Sequence, residues 1–307
     1  MFFRLSNLMP LIKQTDYKID KDNEFCNLSL CAEKLNFPCC VFVEDVMYVD
    51  TITDNAVMVL AAHGFDGAFP SDKSYGICFV DNPRITFFCL HNYLSQVDGY
   101  KLAARSTRIG NNCKISPLAV IAENNVNIGD NVIIEEFVVI RENTVIGDNS
   151  IIRAGVVIGG EGFEFKRDEG KILAITHAGG VIIGHDVEIQ YNSCVDRAVY
   201  PWDNTVIGNY TKIDNLIQVS HAAKIGNNVL IAASSFVGGR TRIDDNAWVG
   251  AGVTISNALT VGANSRANIG SVVTKNVDNN ESVTGNFAIP HHKFIRNLRI
   301  VTRDGDA

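Results

Sequence analysis

From residue 207 to residue 273, an aliphatic side chain returns at every sixth position. A period of six drifts around a 3.6-residue helical turn, so this pattern excludes an α-helix. Hexads of this kind predict a β-helix, in which each short strand adds one rung to a continuous aliphatic core. The series comprises Ile207, Ile213, Val219, Ile225, Ile231, Val237, Ile243, Val249, Ile255, Val261 and Val273, with Ala267 as its weakest member.

The same repeat begins further upstream and is interrupted twice. A solenoid expels insertions as loops, and such loops often form its binding face. Residues 159–180 are rich in Gly and contain Phe163, Phe165 and His177, so we predict that Phe163 and His177 bind substrate. The alternative is that residues 159–180 form a loop that leaves the coil and has no function. The second interruption covers residues 200–205. The upstream hexads begin at Ile109, Ile115, Ile121, Ile128, Ile134, Ile140, Ile146, Ile152, Ile158, Ile183, Ile189 and Val195, with one extra residue before Ile128.

The chain outside the hexads divides into two further parts. Residues 1–100 mix strand-like runs at 41–43 and 77–80 with a helical stretch from about 86 to 97, which predicts a small α/β domain. A basic run at residues 291–299 predicts one short helix. The predicted fold is therefore mainly β: an α/β domain over 1–100, a β-helix over 101–278 and a tail over 279–307.

Charge and cysteine content restrict the classes of partner. A net charge of −7 and a pI near 5.5 argue against nucleic acid or an anionic membrane as the main partner. No apolar run approaches the length of a membrane span, and we expect no secretory signal. The eight Cys form no CxxC pair, which favours reduced thiols in a cytoplasm.

His221 is the candidate catalytic residue. It lies two positions after Val219, where other hexads carry Asn, Ala or Gly. Three hexads make one coil, and Gly239 follows His221 by three hexads, so Gly239 is predicted one rung above it. A His beside a free backbone N–H can deprotonate an amine and hold a thioester oxyanion. Asp214 is predicted to orient the imidazole. The alternative is a surface His in a polar turn.

A different class of function is a non-catalytic scaffold or a zinc-dependent β-helix enzyme. Zinc requires His ligands that converge on one point. His185 and His221 are six hexads apart in the sequence, which predicts the same edge of the coil but two rungs of separation. At about 4.8 Å per rung the two rings would be about 10 Å apart, too far for one metal. We therefore predict no metal site and no permanently bound cofactor.

Several sequence runs carry a family resemblance. K-I-D-N-L-I-Q-V-S-H at 212–221, V-I-I-G-H-D-V-E-I at 181–189, V-D-R at 195–197, G-E-G-F at 160–163 and V-D-N-P-R at 80–84 resemble the UDP-3-O-acylglucosamine N-acyltransferases of lipid A synthesis. Generic hexapeptide proteins share the hexads but not these loops. The resemblance implies a left-handed β-helix and a homotrimer with active sites between subunits.

The resemblance also implies a direct reaction and a set of site residues. An acyl group would pass from a thioester to the amine of a nucleotide-linked sugar, with His221 as general base and the Gly239 N–H holding the oxyanion. Asp196 and Asn215, which lie in the matching runs, would bind substrate.

The nucleotide base would lie in a pocket that the N-terminal domain forms from residues 42–48. Phe42 and Tyr48 would sandwich a pyrimidine, with Asp45 in place of a family Asn. Asp45 keeps an acceptor for the pyrimidine N3–H but loses the amide donor. The alternative is that both aromatic residues serve strand packing.

The chain departs from the family at other positions. Ala258 stands where the family has a second active-site His, and the helical tail that engages acyl carrier protein is shorter here. The run V-T-G-N-F-A-I-P at 283–290 resembles the sequence that ends the repeat domain of small sugar acetyltransferases that use coenzyme A. These departures favour an acyl-CoA donor and another UDP- or dTDP-linked amino sugar, of O-antigen or capsule pathways. The alternative is the lipid A enzyme itself, with acyl carrier protein as the donor.

Overall fold

The computed structural model describes residues 1–285 and 288–301. The N-terminal domain is a five-stranded sheet in the order β1-β5-β4-β3-β2, in which β1 alone runs antiparallel to its neighbour. Its elements are α1 (Leu5–Leu8), β1 (Tyr17–Ile19), β2 (Asn27–Leu28), β3 (Cys39–Val43), a 3₁₀ turn (Val46–Thr51), β4 (Ala56–Ala62), a 3₁₀ turn (Asp66–Ala68), β5 (Gly76–Val80) and α2 (Pro83–Leu94).

Local sequence explains where α2 begins. The Asn82 side chain caps the helix by accepting the Ile85 N–H at 3.1 Å, and Pro83 occupies the first turn, where a missing N–H costs nothing. The helix therefore starts earlier than the predicted stretch at 86–97. Its buried side packs on β3 and β4, and Phe87 lies 4.8 Å from Phe42 between ring centroids.

The hexads form a parallel β-helix, as predicted. Its strands and one inserted hairpin follow in chain order: β6 (Arg108–Ile109), β7 (Lys114–Ile115), β8 (Val120–Ile121), β9 (Val126–Ile128), β10 (Ile133–Ile134), β11 (Val139–Ile140), β12 (Thr144–Ile146), β13 (Ile151–Ile152), β14 (Val157–Gly160), β15 (Phe165–Asp168), β16 (Lys171–Ala174), β17 (Gly180–Ile183), β18 (Glu188–Ile189), β19 (Cys194–Asp196), β20 (Asn204–Ile207), β21 (Lys212–Ile213), β22 (Gln218–Val219), β23 (Lys224–Ile225), β24 (Leu230–Ile231), β25 (Phe236–Val237), β26 (Arg242–Ile243), β27 (Trp248–Val249), β28 (Thr254–Ile255), β29 (Thr260–Val261), β30 (Arg266–Ala267), β31 (Val272–Val273) and β32 (Ser282–Val283).

Each strand pairs with the strand one coil away, which produces three parallel sheets. From β20 to β31 the register step is three hexads, as in the pairing of Ile213 with Ile231. In these rungs the second residue of a two-residue strand points inward and is buried, while the first faces outward. The sheet orders are β6-β9-β12-β17-β20-β23-β26-β29, β7-β10-β13-β18-β21-β24-β27-β30-β32 and β8-β11-β14-β19-β22-β25-β28-β31.

The corners of the coil explain the polar part of the repeat. Asn residues recur there with positive φ, for example Asn228 at 55°, because Asn tolerates the left-handed region better than most residues. Small hydroxyl residues point inward and satisfy backbone groups, as when Thr211 donates to the Gly226 carbonyl at 2.8 Å. The Asn ladder continues between rungs, where the Asn125 amide donates to Asn143 at 3.0 Å.

The two interruptions join the coil to the N-terminal domain. The first contains the antiparallel hairpin β15–β16, and the Asn92 side chain of α2 bonds both the Ala174 carbonyl and the Thr176 N–H. In the second, the Trp202 indole donates to the Leu28 carbonyl at 2.9 Å and stacks on Tyr200 at 5.3 Å. Both insertions therefore pack against the N-terminal domain on the same side of the coil.

The tail forms α3 (His291–Val301), whose polar residues are exposed. Asn286 and Phe287 of the predicted closing motif, and residues 302–307 of the tail, lie outside the described residues. Among the helices of residues 1–285 and 288–301, none is long and apolar enough to cross a membrane.

Candidate active site

A cavity of about 180 Å³ lies where the coil, the first insertion and the N-terminal domain meet. One part of its wall is apolar and comes from the N-terminal domain and the second insertion: Leu30, Phe42, Phe88, Val199 and Tyr200. The other part is charged or polar: Arg84, Glu164, Lys166, Asp203, His221 and Arg240. The cavity therefore combines an apolar surface with a cluster of ionisable groups, an arrangement typical of ligand sites.

His221 projects from the corner that follows β22. The next residue, Ala222, has a φ of 58°, and its N–H donates to the Thr205 hydroxyl at 2.8 Å, which fixes the corner. The imidazole is 15% exposed. Its Nε2 lies 3.4 Å from Glu164 Oε2, whereas its buried Nδ1 has no partner among the described residues.

Glu164 is the carboxylate that faces His221. Lys166 donates a hydrogen bond to its other oxygen, Oε1, and the Lys166 ammonium lies 4.8 Å from the centre of the Phe88 ring. Burial alone would raise the pKa of Glu164, but the facing imidazole of His221 and the hydrogen bond and charge of Lys166 outweigh it and lower that pKa to about 2. Glu164 is therefore ionised at neutral pH.

Gly239 lies beside His221, as the step of three hexads predicts. A Cβ at Gly239 would be 2.6 Å from His221 Nε2, so the imidazole occupies the space that a side chain would need. The Gly239 N–H, however, donates to Asn257 Oδ1 at 3.0 Å. An oxyanion would have to displace this amide before it could accept a hydrogen bond from the Gly239 N–H, the donor predicted for it.

The orienting role predicted for Asp214 is wrong. Its Oδ1 accepts the Asn215 N–H at 2.7 Å and its Oδ2 accepts the Ala233 N–H at 3.0 Å. The carboxylate is thus engaged in fixing a corner of the coil, and Glu164 is the acid at the imidazole. Asn215 has a similar structural task, because its Oδ1 accepts the Tyr191 N–H at 3.1 Å.

His177 and Asp196 lie behind the cavity rather than on its wall. The His177 ring is buried 5.7 Å from the His221 ring, and its Nδ1 bonds the Ile175 carbonyl at 3.1 Å. Burial and the neighbouring His221 lower the pKa of His177 to about 4, so this ring is neutral at pH 7. Burial raises the pKa of Asp196, which accepts a bond from Gln218 at 2.7 Å.

The three residues predicted to hold a nucleotide base differ in their surroundings. Phe42 lies on the cavity wall and packs against Phe88 as well as Phe87. Asp45 caps the following 3₁₀ turn by accepting the Met47 N–H at 3.0 Å. Tyr48 is 47% exposed on that turn, outside the cavity wall. The structure thus brings Phe42, but not Asp45 or Tyr48, onto the wall that carries His221.

Phe163 also lies outside the cavity wall. It is 90% exposed, and its ring contacts Phe165 edge to face at 4.9 Å. Two aromatic rings are therefore presented to solvent next to Glu164 in the chain.

The predicted stacking of His185 and His221 on one edge is wrong. The second insertion lengthens the register step there from three hexads to four, so Glu188 pairs with Lys212. The residue next to His185 on its edge is Asn209, which accepts the His185 N–H at 2.8 Å. Among the described residues, Asp16, His63 and Asp81 form the one group with metal-ligand spacing, and all three are exposed.

Glu164, Lys166 and Arg240 were missed by sequence reasoning. Glu164 and Lys166 lie in the interrupting loop already predicted to bind ligand, so a search of that loop for charged side chains would have included both. Arg240 follows Gly239 directly and forms an ion pair with Glu33 of the N-terminal domain.

Comparison with known proteins supports the fold assignment. The family model described as "Bacterial transferase hexapeptide (six repeats)" matches residues 125–160 and 204–239. These two stretches of the chain therefore carry hexapeptide repeats. Its coil is also similar to two solved structures titled UDP-N-acetylglucosamine acyltransferase. The one from Campylobacter jejuni has a TM-score of 0.54 at 21% identity, covering 66% of this chain and 82% of that one. The one from Bacteroides fragilis has a TM-score of 0.51 at 23% identity, covering 68% and 84%. At these identities the likeness concerns the fold alone.

Curated relatives share a higher identity with shorter stretches of this chain. UDP-3-O-acylglucosamine N-acyltransferase 2 of Legionella pneumophila is 49% identical over 73 residues, which is 24% of this chain and 21% of that protein. UDP-3-O-acylglucosamine N-acyltransferase of Leptothrix cholodnii is 42% identical over 138 residues, 39% of this chain and 40% of that protein. The chain thus matches between about a fifth and two fifths of the length of these relatives.

Proposed function

We propose that this protein is an N-acyltransferase that moves an acyl group from a thioester to the amine of a UDP-linked glucosamine. The observation that carries the proposal is the pairing of His221 Nε2 with an ionised Glu164, 3.4 Å away, on the wall of a partly apolar cavity. The names of the curated relatives support the reaction and the acceptor.

His221 is the proton acceptor of the proposed reaction. When the acceptor is bound, a neutral imidazole with its proton on Nδ1 exchanges its contact with Glu164 for one with the substrate, and Nε2 removes a proton from the acceptor ammonium. The freed amine attacks the thioester carbonyl, the C–N bond forms and the C–S bond breaks. Of the two protons that leave nitrogen, one ends on the leaving thiol and the other passes to solvent. The negative charge of Glu164 stabilises the imidazolium that forms between these steps.

The N-terminal domain supplies the proposed nucleotide site. Phe42 shares the cavity with His221, so a base stacked on Phe42 and Tyr48 would leave its sugar directed towards the imidazole. Asp45 would accept the pyrimidine N3–H after giving up the Met47 N–H. Phe163, exposed beside Glu164 in the chain, would then cover the bound substrate.

The identity of the donor separates two versions of the proposal. The departures from the family favour acyl-CoA and another nucleotide-linked amino sugar. The names of the relatives better support UDP-3-O-acylglucosamine as the acceptor, and we propose this version first. The second version is favoured by Ala258, because an exposed methyl at that corner cannot donate a hydrogen bond to a substrate.

A matrix of two acceptors and two donors tests both versions. The purified chain is incubated with UDP-3-O-acylglucosamine or a dTDP-linked amino sugar, and with acyl carrier protein thioester or acyl-CoA. Mass spectrometry then measures the N-acylated product. We expect product from UDP-3-O-acylglucosamine, and acetyl transfer to the dTDP sugar would favour the second version. Absence of product in all four combinations would contradict an acyltransferase function.

We further propose that the protein acts as a homotrimer in the cytoplasm. The first residue of every strand in the sheet that contains β22 faces outward and is uncharged: Val120, Val139, Val157, Cys194, Gln218, Phe236, Thr254 and Val272. The outward rows of the other two sheets contain Lys and Arg, among them Lys224 and Lys212. His221 follows β22 directly, so a subunit on this face would wall the cavity.

A further inference from the structure

The contact between Glu164 and His221 is longer than a hydrogen bond between charged groups. The Nε2–Oε2 separation is 3.4 Å, whereas such bonds measure about 2.7–2.9 Å. The two atoms are therefore in contact without a short hydrogen bond, and no third atom fits between them. A nitrogen atom beside the pair, on the cavity side, would lie within hydrogen-bond distance of both Oε2 and Nε2.

The carboxylate is held in this position by other contacts. Lys166 binds Oε1, and the Glu164 carbonyl accepts the Ile175 N–H at 3.0 Å. Glu164 is 18% exposed and Lys166 is 14% exposed, so water screens this charge weakly. Oε2 is thus a fixed negative oxygen directed at the reacting nitrogen of His221.

We infer that Glu164 is the group that recognises the acceptor's ammonium and so restricts the enzyme to amine acceptors. The inference rests on the proposed function and adds its specificity-determining residue. An ammonium beside this pair of atoms would donate one hydrogen bond to Glu164 Oε2 and a second to His221 Nε2, which then takes that proton. A sugar hydroxyl in the same position is neutral and gains only a hydrogen bond.

Glu164 would then bind the acceptor ammonium as well as support the imidazole. A residue that only positions His221 would change turnover equally for every acceptor. A residue that binds the ammonium also changes the ratio of affinities between an amine and the matching hydroxyl compound, and this ratio can be measured without catalysis.

The test measures dissociation constants by isothermal titration calorimetry with UDP, UDP-glucose and UDP-glucosamine; the two sugar nucleotides differ at one sugar position. We expect the wild-type chain to bind UDP-glucosamine at least about tenfold more tightly than UDP-glucose at a pH where the amine is protonated. Glu164→Gln should bring this ratio close to one and leave the affinity for UDP within about twofold. Glu169→Gln, which removes an exposed carboxylate from the turn of the same hairpin, is the matched control and should keep the wild-type ratio.

The possible outcomes separate the two proposals. If UDP and both sugars fail to bind, the proposed function is wrong and the inference fails with it. If UDP binds but the wild type does not prefer the amine, or Glu164→Gln keeps the preference, the ammonium role alone is wrong. Thermal unfolding of each variant shows whether it is folded. If Glu164→Gln is unfolded, Glu164→Asp takes its place. The shorter side chain holds its carboxylate further from His221 Nε2, so the preference for UDP-glucosamine over UDP-glucose should fall.

Discussion

Substitution of Gly239 by Ala tests how tightly the coil confines His221. A methyl at this position would lie 2.6 Å from Nε2, 2.9 Å from Cε1 and 3.1 Å from Cδ2 of the imidazole. Ordinary contacts between such atoms are about 3.5–4.0 Å, so the ring must move by roughly 1 Å. The backbone at Gly239 is not in the left-handed region, so Ala brings no strain of its own.

The expected effect on turnover follows from this displacement. A misplacement of about 1 Å at a reacting group can cost about a hundredfold in rate, equivalent to about 2.7 kcal/mol of activation free energy. The effect on stability should be small, because an off-rotamer ring costs about 0.5–1.5 kcal/mol and a change from Gly to Ala recovers about 0.4–1 kcal/mol of chain entropy.

The assay follows thiol release from the acyl donor, together with thermal unfolding. Gly67→Ala is the control, because a Cβ there has no atom within 4 Å and the backbone is equally permissive. It should keep wild-type turnover. If Gly239→Ala retains more than about a third of wild-type turnover with an unchanged melting temperature, the imidazole is not acting from the position described.

Three further predictions concern the nucleotide site, the assembly and the response to acid. Tyr48→Ala should raise the KM for the sugar nucleotide, since stacking is worth about 1–3 kcal/mol per base, and an unchanged KM would remove residues 42–48 from the site. Light scattering should report a trimer of the 33.6 kDa chain, and a monomer at micromolar concentration would refute the shared cavity. The pKa of Glu164 is lowered from 4.5 to about 2, so its contribution to stability is present above pH 4.5 and is lost as pH falls towards 2. The difference in free energy of urea unfolding between wild type and Glu164→Gln should therefore shrink as pH falls from 4.5 towards 2; a difference independent of pH over this range would contradict the ion pair.

The coil could be predicted because one position in every six, always filled by an aliphatic or small apolar residue, determines it. The inward aliphatic residues recur at a fixed interval, so the number of a residue gives both its rung along the coil and the sheet on which it lies. The same arithmetic placed Gly239 next to His221, since no insertion separates them. It failed for His185, because residues 200–205 lie between the two histidines and lengthen one coil by a full hexad.

The partner of the imidazole was not predictable from the repeat. Asp214 is near His221 in sequence, but its oxygen atoms bond two backbone N–H groups at its own corner. Glu164 is distant from His221 in sequence and reaches the ring because the first insertion returns over the coil and packs on the N-terminal domain. The course of the first insertion depends on contacts such as that of Asn92 with Ala174. These contacts do not recur at a fixed interval in the sequence, so the repeat does not predict them.

The turnover number of His221→Ala tests the central claim most directly. A positioned general base contributes about 10²–10⁴ in rate, so turnover should fall by that factor while the dissociation constant of the sugar nucleotide stays within a few fold. Retention of more than about a tenth of wild-type turnover would contradict the role of His221 as the base, and the protein would then supply only orientation.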